Sequence, residues 1–346
     1  MSVLRVLNPG MFTTVQDLGR KGYQQYGMPV SGSMDTYAHK LANLLVGNEP
    51  EEATLEMTIL GGTYVVEKDT FIAVTGAHMN PFINNDQILG MWRAIEVRKG
   101  DKLTFNATNN GCRTYLAIAG GFKIEQVMES KSTYVRGKLG GHQGRTLAKG
   151  DELGLHKHGD LYAQLKGRFI SAQYIPKYEK TIVLRAILGP QEEAFTHKGI
   201  ADFFSAEYTV SNEFDRMGYR LEGKRIEHID SADILSDGIV KGAVQIPGHG
   251  NPIIMLSDCQ TTGGYTKIAH VITSDLWKIA QAKAGDTIRF KAVDVEEAHV
   301  LLKADSDVIE SIKKDFETKR LSTDQDLKMK INNQTFTVKV NEITAG

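Results

Sequence analysis

Short runs of β-branched and aromatic residues, broken by turns rich in Gly and Asp, recur along the chain at 62–66, 70–74, 102–105, 113–119, 181–188 and 287–290. Runs of this length between turn signals predict an antiparallel, mainly β protein. A Gly-Asp turn precedes such a run three times, in Lys99-Gly100-Asp101-Lys102-Leu103, Lys149-Gly150-Asp151-Glu152-Leu153 and Ala284-Gly285-Asp286-Thr287-Ile288, and each predicts a strand start. Helical periodicity is rare. Ala38, Leu41, Ala42 and Leu45 share one face of a helix predicted over 34–46, with Ser33 as N-cap and Gly47 as its stop. Phe195, Ile200, Phe203 and Phe204 mark helical structure over 191–205 that Gly199 divides, and Ser274 is placed to cap 275–281. Val308, Ile309, Ile312 and Phe316 form the apolar side of a charged helix over 305–318, and 327–340 alternates as a terminal hairpin.

At roughly 100–200 residues per domain, 346 residues predict two domains. A short echo links the halves: Asp17-Leu18-Gly19-Arg20 with Gly22-Tyr23, and Asp215-Arg216-Met217-Gly218-Tyr219-Arg220. The polar stretch 156–180 is the expected seam, giving domains at 1–165 and 166–298 and an extension at 299–346. Lys and Arg number 41 against 42 Asp and Glu, a net charge of −1, so no basic stripe points to nucleic acid. No apolar run is long enough for a bilayer and residues 1–10 lack a signal-peptide core, so no membrane and a cytoplasmic location are expected. Two cysteines far apart, Cys112 and Cys259, argue against a disulfide framework and a cysteine metal site.

Nucleotide motifs are weak. Residues 218–224 have GxxxxGK spacing, but Arg225 stands where a Mg²⁺-binding Ser or Thr belongs, and no GxGxxG opens a helix. His156 and His158 are spaced for one face of a strand without a clustered third ligand, so no metal is expected. Cys259 reads as a small buried hydrophobe before it reads as a nucleophile. Lys330 lies too near the chain end for a biotinyl domain. Three segments crowd glycine with polar side chains beyond what turns require: 13–35, 215–221 and 245–267. Glycine lets backbone N–H groups approach a ligand, and Asp, Arg, Gln and Thr can fix and polarise an amide or carboxylate. The same segments read equally as turns that close barrels.

These segments, with Asn43-Leu44-Leu45-Val46-Gly47-Asn48, Leu55-Glu56-Met57-Thr58, Thr75-Gly76-Ala77, Tyr115-Leu116-Ala117-Ile118-Ala119-Gly120-Gly121 and Ser130-Lys131-Ser132-Thr133, resemble the family of 5-oxoprolinase C subunits, also called the KipA family. That family is similar to allophanate hydrolase subunit 2 and to the carboxyltransferase region of urea amidolyase and urea carboxylase. The resemblance runs from about residue 3 to residue 295 and leaves out the tail from His299. It implies two cyclophilin-like antiparallel β-barrel domains. It further implies one component of an enzyme complex that, with A and B subunits as partners (the B partner being KipI-like), hydrolyses 5-oxo-L-proline to L-glutamate. ATP would be a cosubstrate of the complex, and this chain would carry no covalent biotin.

The family name assigns no residue roles; by side-chain chemistry, in such a reaction Arg216 would hold a carboxylate or phosphoryl oxygen, and Asp17 or Asp258 would act as base or orienting group. Gln260, Thr261 and the Gly263-Gly264 backbone would bind a developing oxyanion. Gly19, Arg20, Ser31, Asp35, Gln245, Thr262, Tyr265 and Lys267 complete the expected substrate-binding set. Two alternatives stand beside it. One is a biotin-dependent carboxyltransferase acting on a urea-like or amide substrate, with carboxybiotin on a separate carrier. The other is a non-enzymatic antagonist that binds a histidine-kinase inhibitor of the KipI type.

Overall fold

The computed structural model describes residues 2–85, 87–156 and 164–318, and the backbone of the strands Asp326–Ile331 and Gln334–Lys339. The protein is mainly β, and all six β-branched runs are strands: Thr63–Val66, Thr70–Gly76, Lys102–Thr104, Arg113–Ile118, Thr181–Leu188 and Thr287–Ala292. The three Gly-Asp turns are one device used three times. Gly100, Gly150 and Gly285 have φ of +96°, +92° and +87°, which glycine adopts without strain. The carboxylate of the following Asp accepts the backbone N–H three residues back, from Arg98, Ala148 and Lys283, at 2.8, 2.7 and 2.9 Å.

The first half is two antiparallel sheets facing each other. One orders as Glu152–Gly154, Ser2–Asn8, Thr63–Val66, Lys102–Thr104, Phe82–Ile83, Gln87–Ile88; the other as Phe12–Gln16, Thr54–Thr58, Arg113–Ile118, Thr70–Gly76, Ala94–Val97. The central strands of the second sheet are buried on both faces, so they alternate between two apolar environments. Ile72, Val74, Leu116 and Ile118 enter the core between the sheets, whereas Phe71, Ala73, Tyr115 and Ala117 meet the helix Thr36–Leu45 through Ala38, Leu41 and Leu45. That helix starts two residues later than the spacing predicts. Asp35, not Ser33, is its N-cap, accepting Ala38 N–H at 2.9 Å, while Ser33 lies outside the helix with its N–H tied to Asp17 C=O.

The second half is a closed seven-stranded barrel, ordered Thr181–Leu188, Lys267–Val271, Ala243–Gln245, Ile253–Met255, Gly218–Gly223, Glu207–Phe214, Thr287–Ala292. Its first and last strands in the chain pair in parallel, the one departure from antiparallel order among the described pairs. Met34 of the first half sits in this barrel's core. The ribbon Asp233–Gly238 with Thr262–Tyr265 stands off the wall. The stretch 191–205 is two pieces as expected, Glu192–Ala194 and His197–Ser205. Phe169 bridges to Arg93, and Tyr37 OH donates to Tyr174 C=O, so the chain stays on the first half to Tyr174. The late helix begins at Val295, ten residues before the expected start at 305, and returns Ile312 and Phe316 to the first half's helical layer.

His39 lies buried on the helix Thr36–Leu45 with Nδ1 3.0 Å from Thr54 Oγ1 and Nε2 3.4 Å from Asn43 Nδ2. The Asn43 amide can only donate there, so Nε2 accepts and the ring is neutral. Burial pushes its pKa down to about 4. The unfolded chain therefore takes up this proton first as pH falls, and stability is lost between pH 6.5 and 4, by about 3 kcal/mol for this residue. Urea midpoints across that range should fall less steeply for His39→Gln than for the wild type; equal slopes would show that His39 does not carry the acid sensitivity.

Candidate functional site

The seam between the halves is polar. Glu56, in the middle of Thr54–Thr58, is fully buried and accepts the Met34 N–H and the Tyr115 hydroxyl, both at 2.8 Å, as well as Nη1 of Arg216 from the other half. Arg216 turns Nε and Nη2 on Asp258 at 2.9 and 3.0 Å, and Nη2 also reaches Gly32 C=O at 2.7 Å. Burial alone would raise the Glu56 carboxyl, but the Arg216 and Arg113 guanidiniums hold it below the usual carboxylate range. Arg113 donates Nη1 to Tyr219 OH at 2.6 Å and to Ala280 C=O. Gln281 accepts the N–H groups of Cys112 and Arg113, both at 2.9 Å, and donates to Asp35 at 2.8 Å. Burial pushes the Asp35 carboxyl up to about 6.

Two glycines let the chain close around this network. Gly19 (φ +87°) and Gly32 (φ +82°) lie back to back; a Cβ on Gly32 would fall 2.7 Å from Gly19 N, which is impossible contact. Their approach delivers Gly32 C=O to Arg216. Beside them Ser31, at φ +56°, gives its N–H to Ser257 C=O at 2.8 Å. The hydroxyls of Ser31, Ser33 and Ser257 and the Nε and Nη1 of Arg20 are buried without a protein partner. Burial lowers the pKa of the Arg20 guanidinium, and Asp17 and Asp258 partly offset this.

The structure thus gathers Asp17, Arg20, Ser31, Arg216 and Asp258 at one junction, but it gives several of them work other than the expected chemistry. Four of the five Arg216 N–H donors are already used, so Arg216 is not free to hold a substrate carboxylate or a phosphoryl group. Asp258 has both carboxylate oxygens engaged by that guanidinium. Asp17 accepts Gly19 N–H (2.8 Å), Ser130 Oγ (2.7 Å), Ser132 Oγ and Lys131 N–H (2.5 Å), which leaves it as the anchor of the 130–132 loop. Asp35 is a helix cap in the seam. Lys267 pairs with Asp237 of the ribbon at 2.8 Å. Burial, with Asp258 nearby, pushes the Cys259 thiol up to about 11, far from a reactive thiolate. Residues 218–223 are a barrel strand, not a phosphate loop. His156 lies 3.3 Å from Lys131 Nζ; His158 is outside the described residues, and among the described residues no three His, Cys, Asp or Glu side chains gather as a metal site.

The open space lies one step outward. A cavity of about 480 Å³ is lined by Gln245, Gln260 and Tyr265, with Met217, Ile253 and Met255 as its apolar floor. Gln245 is buried and donates Nε2 to Tyr265 C=O at 3.3 Å, while Gln260 is exposed. Gly263 allows the ribbon to pass over this wall: a Cβ there would meet Ile239 at 2.4 Å and Gln245 Nε2 at 3.0 Å. Thr261 C=O receives Ile239 N–H, and Thr262 and Gly264 lie in the ribbon strand. Sequence reasoning missed Glu56, Arg113, Gln281 and Arg136, which lines the cavity from the first half. Glu56 carried a signal, a carboxylate alone in the otherwise uncharged strand Thr-Leu-Glu-Met-Thr.

The model of the family described as carboxyltransferase domain, subdomain A and B, matches residues 26–292. The chain is 36% identical over 296 residues to the C subunit of 5-oxoprolinase from Escherichia coli K12, covering 86% of this chain and 93% of that one. It is 34% identical over 312 residues to the protein of the same name from Haemophilus influenzae, covering 90% and 98%. Among solved structures, K. lactis urea amidolyase superposes with a TM-score of 0.84 at 29% identity over 99% of this chain, which spans 21% of that protein.

Glu56→Gln should lower stability by about 3–5 kcal/mol in urea unfolding, because it strands part of the Arg216 charge in the seam. A loss below about 1 kcal/mol would mean that water reaches the pair and that the seam is not dry.

Proposed function

The chain belongs to the carboxyltransferase domain family, subdomains A and B, and from that premise we infer that it is the C subunit of an ATP-dependent 5-oxoprolinase. The observation that carries this reading is coverage. The alignment takes in nearly the whole of two free-standing C-subunit chains, while the matched part of urea amidolyase is about a fifth of a larger protein. The relatives' name makes the chain one component of an enzyme complex, and the A and B subunits are the proposed partners.

An unstrained lactam is a poor electrophile. Phosphorylation of its oxygen by ATP makes the carbon electrophilic; water adds there, the ring C–N bond breaks to leave the amine and an acyl phosphate, and a second water releases phosphate and the new carboxylate. The proposed part of this chain is to hold the lactam. Gln245 and Gln260 each offer a primary amide, whose donor and acceptor complement the edge of a cyclic amide, above an apolar floor suited to ring methylenes. ATP is assigned to one of the partners, since the GxxxxGK-spaced segment is a strand of the barrel wall.

The family's name favours a second reading, transfer of a carboxyl group from carboxybiotin on a separate carrier to an amide nitrogen, in the same cavity. The two readings separate in one assay. The chain, combined with the A and B subunits of its own organism, should release glutamate from 5-oxo-L-proline and ATP without biotin or bicarbonate, and no two of the three components should do so. Gln245→Ala and Gln260→Ala should each lower kcat/KM about 10-fold. An assembled complex that releases no glutamate, but carboxylates an amide when carboxybiotin is supplied, would replace the first reading by the second.

A further inference from the structure

In the seam Arg216 is committed to Glu56, Asp258 and Gly32, and the unpartnered Nε and Nη1 of Arg20 are buried at the junction, not in the wall of the cavity. Another guanidinium reaches the cavity from the opposite half. Arg136 stands at the tip of a tight hairpin closed by Tyr134 N–H to Leu139 C=O at 2.8 Å and Leu139 N–H to Tyr134 C=O at 3.1 Å. The hairpin is a built arm. Gly137 lies so close under the Tyr134 ring that a Cβ would come within 2.5 Å of it, and Lys138 turns the chain at φ +50°.

At its tip Arg136 meets Asp215 through one contact, Nη2 to Oδ2 at 3.2 Å, with the two side chains 62% and 54% exposed. Such a pair contributes little. Asp215 does not need it: its Oδ1 is held by the N–H groups of Met217 and Gly218 at 2.7 and 3.2 Å. The carboxylate is therefore fixed and the arginine is the partner that moves. A guanidinium binds a carboxylate best through two parallel N–H bonds, and it makes only one to Asp215. The cavity's other arginine, Arg220, makes the shorter contact, Nε to Glu213 at 2.8 Å, in a pair whose side chains are 51% and 76% exposed.

We propose that Arg136 is the residue that recognises a substrate carboxylate in this cavity, exchanging its single contact with Asp215 for a bidentate one. The cavity then selects a small cyclic amide that carries a carboxylate over a neutral, urea-like amide. This rests on the reading of the cavity as a lactam site and adds what discriminates among amides. A neutral amide leaves Arg136 on Asp215 and gains nothing from it.

The test is calorimetric binding by the full chain, alone and with the A and B subunits. The ligands are 5-oxo-L-proline and 2-pyrrolidinone, the same ring without the carboxylate. The wild type should bind 5-oxo-L-proline about 10- to 100-fold more tightly than 2-pyrrolidinone, and Arg136→Gln should lose that preference while binding 2-pyrrolidinone unchanged. In the assembled complex the variant should raise KM by the same factor with kcat preserved. Lys138→Gln, on the same hairpin two residues away, should match the wild type, and the exposed tip should leave urea midpoints alone.

If Arg136→Gln binds 5-oxo-L-proline as tightly as the wild type, or if Arg220→Gln takes the loss instead, the assignment falls while the lactam reading stands. Equal wild-type affinity for the two ligands also overturns it and moves the substrate to a neutral amide. Binding of neither, alone or with the partners, overturns both readings.

Discussion

A carboxylate from one half of the chain and a guanidinium from the other, buried against each other, impose more on this structure than any apolar contact does. Glu56 and Arg216 are each almost without access to water, so neither half can present its surface here with the charge uncompensated. Replacing such a pair with well-packed apolar side chains would often be no less stable. What the pair supplies is geometry. The fork of Arg216 spans Glu56, Asp258 and Gly32 C=O, so the halves fit in one register and not in a set of near equivalents. Arg113 repeats the logic in the opposite sense, reaching from the first half to Tyr219 and Ala280 of the second.

The cavity inherits its walls from this register. Asp215 and Met217 flank Arg216 in the chain, and Gln260 follows Asp258 by two residues, so the side chains that face the open space are neighbours of those locked in the seam. A wall built this way needs no further support from a ligand to hold its shape, the usual requirement for a pre-formed small-molecule site.

The fold was legible because its signals are local. The β-branched and aromatic runs at 70–74 and 113–119, and three Gly-Asp turns, are read within a few residues. Ser33 misled as a helix cap because capping preference does not reveal that Asp17 C=O has already taken its N–H. The site was legible only as composition. Glycine and polar residues marked the right segments, and five of the expected residues do meet at one junction. Which guanidinium is committed and which is free depends on partners up to 184 residues away, as with Arg216 and Gly32, and no local pattern encodes that. Arg136 was invisible for the same reason. A lone arginine in a Tyr-Val-Arg-Gly-Lys turn acquires meaning only when the other half lies beneath it.

The echo between Asp17 and Asp215 gains a physical sense from the same arm. Both carboxylates accept the backbone N–H two residues on, at 2.8 Å from Gly19 and 2.7 Å from Met217, so both turns begin from the same local chemistry. Their remaining oxygen positions diverge. Asp17 is consumed by Ser130, Lys131 and Ser132, the segment that leads directly into the Tyr134–Leu139 hairpin, while Asp215 presents a free edge to Arg136 at the tip of that hairpin. One member of the pair fixes the root of the arm and the other receives its end. The placement of Arg136 over the barrel's cavity therefore depends on two similar turns in different halves, and on the buried charges that hold those halves together.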